Sequence, residues 1–157
     1  MTIDGSEQWL TDILDAVVSD VAASGYFVYV NEHEPSRAPH GALTAAVWMQ
    51  SIEPIGPISG LDTTSGRILF IVRLFKNMRD QPTDLIDSTM YRAAANIIRR
   101  YHDDFDFGGI IRNVDLLGQF GIKLSAQSGY LPVQDGIYRI IDIQVPCLVN
   151  DIWPQIQ

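Results

Sequence analysis

The sequence predicts an α+β domain: a mainly antiparallel sheet of about five to six strands with two main helices packed on it. Apolar residues recur at helical spacing in two segments, near residues 6–25 and 82–105. Stretches rich in β-branched and aromatic residues, punctuated by Gly and Pro, fill the space between and after them. The order is helix, strands, helix, strands, which sets the helices against a sheet instead of interleaving them with parallel strands.

The first helix is carried by SEQWLTDILDAVVSDVAASG, where Trp9, Leu10, Ile13, Leu14, Val17 and Val21 share a face. Ser6 is placed as its N-cap, Glu7 suits the positive helix start, and Gly25 is its stop. YFVYV (26–30) reads as a short strand. NEHEPSRAPHGA (31–42) is a polar loop with two prolines, long for a connection in a compact domain.

LTAAVWMQSIEPI is a strand ended by Pro54. Leu43, Ala45, Val47 and Met49 point one way, and Thr44, Ala46, Trp48 and Gln50 the other. GPISGLDTTSG is the turn region, and RILFIVRLFKN (67–77) returns, making a hairpin with a wide tip. QPTDLIDSTMYRAAANIIRRYHDDF is the second helix. Pro82 is tolerated near its start, Asp84 or Asp87 caps it, and Arg99 and Arg100 favour its end. Its apolar stripe is Ile86, Met90, Ala94, Ile97, Ile98, Tyr101 and Phe105. IIRNVDLLGQ, IKLSAQSGYL and QDGIYRIIDIQVPCLV follow as three strands, with a tight turn at Asp135-Gly136.

The length of 157 residues favours one domain spanning 1–157. A net charge of −8 argues against specific nucleic-acid binding, which needs a basic footprint, but suits a wall past which DNA slides. Cys147 is the only cysteine, so no intrachain disulfide forms, and its setting in IQVPCLV reads as a buried hydrophobe. The first residues lack the pattern of a signal peptide, and no run reaches the roughly 20 apolar residues of a membrane helix. The expectation is a chain made in the cytoplasm without a membrane partner.

Chemistry-bearing clusters are few. His33 and His40, with Glu32 and Glu34, lie in a proline-broken loop without the spacing of a metal pair. HDDFDF sets Asp103, Asp104 and Asp106 beside His102, but lacks the alternation of a calcium loop and reads as a solvated helix end. A small enzyme using 102–106 for acid–base work is the alternative it leaves open. No nucleotide-binding glycine pattern or nucleophile elbow is present. The expectation is no catalytic, metal or cofactor-binding residues.

RILFIVRLFKN is apolar on both faces: Ile68, Phe70, Val72 and Leu74 on one, Leu69, Ile71 and Phe75 on the other, with Arg67 and Arg73 set among them. A strand of this kind is covered on both sides. Helices cover one. Either the second helix set or a loop of the same chain covers the other with Arg73 at its rim, or a neighbouring subunit does, with Arg73 meeting a carboxylate across the seam.

From Ser59 to Asp151 the phrases SGLDTTSGRILFIVRLFKNM, GGIIRNVDLLGQFGIKLSAQSGYL and YRIIDIQVPCLVND resemble the tail terminator (minor tail) proteins of long-tailed bacteriophages. RNVDLLGQFG, and VRLFKNM followed by QPTDLID, carry the likeness most specifically. The loop 31–41 has no counterpart in it. The resemblance implies an α+β virion subunit without covalent chemistry. It would assemble as a hexameric ring, cap the tail tube, and join it to the head-completion protein of the connector, with genomic DNA passing through the lumen. On that footing Arg67, Arg73, Phe75 and Trp48 are candidates for the subunit interface. Glu34, Arg37, His40, Leu61 and Asp62, on two long loops, are candidates for contact with tube or connector. A head-completion or adaptor subunit, or a tail-tube subunit, is the alternative.

Overall fold

The computed structural model describes residues 7–27, 30–32, 43–78, 86–133 and 136–155. Two helices, α1 (Gln8–Ala23) and α2 (Ile86–Asp103), lie against a six-stranded sheet. The strands are β1 (Val30–Asn31), β2 (Thr44–Pro54), β3 (Thr63–Asn77), β4 (Asn113–Val114), β5 (Ser125–Val133) and β6 (Gly136–Pro154). The spatial order is β1-β2-β3-β6-β4, with β5 also paired to β6. Every pairing is antiparallel except β1 with β2. The α+β expectation holds.

β6 organises the sheet because it is long. One side pairs with β3 along nearly its whole length; the other takes β5 along its first half and β4 at Cys147–Leu148. The main core lies between the sheet and both helices. Ile68, Phe70, Val72 and Leu74 of β3 meet Ile13, Val17 and Val21 of α1 and Met90, Ala94, Ile97 and Tyr101 of α2, all buried. The predicted stripes of both helices supply this layer, because residues three and four apart stack on one helix face.

Several boundaries differ from expectation for local reasons. Of the strand expected over 26–30, positions 28 and 29 lie outside the described residues; Val30–Asn31 runs parallel to β2. The hairpin tip is tighter than expected. β3 begins at Thr63, and Ile55 N–H donates to the Ser65 carbonyl at 2.9 Å across the end. Gly66 is needed there: a Cβ would stand 2.8 Å from the Glu53 carbonyl oxygen and 3.0 Å from Ile152 and Trp153 side-chain atoms. Met49 lies opposite Phe70, on the side expected from the strand alternation, and is 42% exposed.

α1 stops where Gly25 takes a φ of 82°, as its sequence suggested, while Ser6 lies outside the described residues. So do Pro82 and Asp84; Asp87 sits in the first turn of α2. Phe105 is corrected from the α2 stripe, since the helix ends at Asp103 and Phe105 is half exposed. Phe107, at φ 51° and followed by positive-φ Gly108 and Gly109, turns back instead. Its ring meets Tyr101 edge-on at 5.7 Å.

Candidate interaction surface

The far face of β3 is covered in part from within the chain, with Ile71, Arg73 and Trp48 left half-buried. Phe75, Ala46, Tyr138 and Ile140 form a second buried cluster, with Trp48 and Leu131 packed on it. Arg67 is buried: Nη1 donates to the Phe120 carbonyl at 2.8 Å, and Nη2 pairs with Glu53. Arg73 lies directly opposite Asp142 in the β3–β6 register. Nε and Nη2 grip its two carboxylate oxygens at 2.6 and 2.9 Å. The guanidinium also stands 5.2 Å from the Trp48 ring centroid.

The carboxylate that Arg73 grips belongs to its own chain. A neighbour meeting this face would touch half-buried Trp48 and Arg73, because Arg67 and Phe75 are covered by this chain's own side chains.

A three-stranded arm is built from the end of β2, the start of β3 and the end of β6, rooted in the main core by Val149 and Ile152. Its outer residues carry exposed apolar side chains: Met49, Ile52, Trp153 and, at the tip, Leu61, which is 85% exposed. Cross-strand bonds brace it. Thr63 Oγ1 donates to Asp151 Oδ1 at 2.5 Å, and Asp151 N–H to Ser65 Oγ at 3.0 Å. Gln155 N–H donates to the Asp62 carbonyl at 2.7 Å, while its side-chain amide reaches the Gly60 carbonyl and Thr64 Oγ1, each at 2.9 Å. Asp151, at φ 57°, marks the irregularity that lets β6 follow the arm.

The segment RNVDLLGQFG, most of which lies in the strand expected over IIRNVDLLGQ, forms only the two-residue β4 before it loops out. Asp115 explains this. Its buried carboxylate accepts the N–H groups of Gln119 and Phe120 at 2.8 and 2.9 Å, satisfying in a turn the donors that a ladder would otherwise take. Gly118 and Gly121 supply positive φ angles of 76° and 108°. Leu117 is left standing out at the crest, 88% exposed. Open depressions of about 510 and 330 Å³ flank it. Sequence reasoning singled out this phrase without its geometry; an Asp followed by glycines three and six residues on was the available signal.

Of the other candidates, Glu34, Arg37 and His40 lie outside the described residues, as does His33. Leu61 and Asp62 are exposed on the arm tip. The acidic helix end is tied locally: Asp103 pairs with Arg99 at 3.8 Å, and Asp104 Oδ1 accepts the Gly108 N–H at 3.0 Å. Among the described residues no group of three or more His, Cys, Asp or Glu could hold a metal ion, and no helix is long and apolar enough to cross a membrane. Burial pushes the Cys147 thiol well above its ordinary range. Burial, then the charge of Asp20, does the same to the Tyr101 phenol.

No family model matches the chain, and no curated protein matches it either.

Proposed function

We propose that this chain is a structural subunit of a bacteriophage tail: a tail terminator that forms a ring, caps the completed tail tube and joins it to the head–tail connector. The ring is hexameric, sits at the head-proximal end of the tail in the virion, assembles in the host cytoplasm, and lets genomic DNA pass without reading its sequence. The observation that carries the reading is the braced β-arm, which holds exposed Leu61, Ile52 and Trp153 on a hydrogen-bonded scaffold. A stiff apolar projection of this kind binds by shape, since little ordering entropy is lost on contact. The resemblance of the 59–151 segment to tail terminators points to the same role. The net charge of −8 suits a lumen that repels phosphates.

The test is electron microscopy of the purified protein, alone and added to growing tubes of a tail-tube subunit. Tubes that stop lengthening and carry one added ring at an end are expected. Long cylinders formed by this protein alone would assign it to the tube instead. Binding to connectors with no effect on tubes would assign it to head completion.

A further inference from the structure

We propose that the Asp115–Gly121 loop is the knob of a self-association seam, seated on the outer flank of α1 in a second copy of this chain. The proposal deepens the ring reading and rests on it for the closure of successive contacts into a circle.

Leu117 is presented, not merely exposed. Beneath it the loop is pinned by the Asp115 carboxylate, by Asp115 N–H to the Pro146 carbonyl at 2.9 Å, by Leu124 N–H to the Asp115 carbonyl at 3.2 Å, and by Arg67 on Phe120. A side chain held out on so fixed a backbone reaches a partner with little further ordering. A cation stands to either side of it. Lys123 lines one flanking depression and Arg112 the other. Arg112 donates to the neutral Asn150 Oδ1, and Lys123 makes no ion pair among the described residues. Three carboxylates on these segments are engaged: Asp115 by the loop, Asp104 by Gly108, Asp103 by Arg99.

The complement lies on another element. Every titratable side chain of α1 is acidic: Asp12, Asp15 and Asp20. Arg100 takes Asp20, while Asp12 and Asp15 are exposed. Leu10, Leu14 and Val18, four residues apart and only partly buried, run as an apolar stripe with Thr11 and Asp15 on its solvent side. An apolar stripe edged by carboxylate fits an apolar knob edged by ammonium and guanidinium.

Two copies that each carry −8 repel at a distance, so their contact must bring unlike charges together. Knob and stripe are different patches of one chain, which makes the contact heterologous, the kind that closes into a ring.

Sedimentation velocity on the full chain tests this with wild type, Leu117→Asp, Lys123→Glu, Asp15→Lys and the Lys123→Glu/Asp15→Lys double variant. Thermal melts confirm that each variant folds. Wild type should associate, more weakly at high salt. Each single variant should weaken association about tenfold or more, and the double variant should recover most of it. A wild type that stays monomeric, a Leu117→Asp variant that associates undiminished, or a double variant no better than its parents would overturn the proposal. Undiminished association of Leu117→Asp would remove this seam and leave the ring reading standing. Association through Leu117 without capping of tubes would remove the tail reading and leave the seam.

Discussion

Tyr101 and Cys147 show how single buried groups tie this fold to pH. Both are fully buried, and burial holds phenol and thiol neutral well above their ordinary values of 10.0 and 9.0. Below those values folded and unfolded chains alike keep the protons, and stability is at its full level. As pH rises past them the unfolded chain releases protons that the folded chain retains. Stability then falls by up to about 1.4 kcal/mol per pH unit for each group. The Tyr101 hydroxyl has no hydrogen-bond partner among the described residues. Tyr101→Phe is therefore expected to change stability at neutral pH by no more than about 1 kcal/mol and to flatten the alkaline decline. Urea midpoints measured from neutral to strongly alkaline pH check both.

At the scale of elements, β3 and β6 are joined by more than their backbone ladder. The Arg73–Asp142 pair is bidentate and partly screened from solvent, with side chains 20% and 34% exposed. Trp48 of β2 stands against the guanidinium, so one cation links three strands. A double-mutant cycle with Arg73→Met and Asp142→Asn is expected to return a coupling of about 1 kcal/mol, reduced in high salt. A coupling near zero would mean that the strands are held by packing and ladder bonds alone. The β2–β3–β6 arm depends on other means: the close approach at Gly66, the left-handed Asp151 and the amide of Gln155. Val149, Ile152 and Ile55 of the arm are buried besides, while Leu61, Ile52 and Trp153 stay exposed.

For the molecule as a whole, β6 runs from the second cluster through the main core to the arm, so the three regions share one strand. Unfolding is expected to be a single cooperative transition. The three tryptophans report on different regions: Trp9 under α1, Trp48 on the far face, Trp153 in the arm. Fluorescence of single-Trp variants should coincide with loss of far-UV circular dichroism; an earlier Trp153 transition would identify the arm as a separate unit.

The sequence by itself determined the two helices, the β2–β3 hairpin and the apolar faces of β3, because helix and strand periodicities are local properties read from neighbouring residues. It also marked RNVDLLGQFG and RILFIVRLFKN as unusual. Register, burial of the second face and the partner of each charge depend on residues far apart in the chain, and only the tertiary structure decided them. Arg73 meets Asp142 because the β3–β6 register sets them opposite, a pairing that spans 69 positions. The helical stripe expected to include Phe105 ends before it, and it is Phe107, beyond the helix, that meets Tyr101. Leu117 stands in solvent because a buried Asp115 claims the backbone donors around it, and no periodicity records that competition.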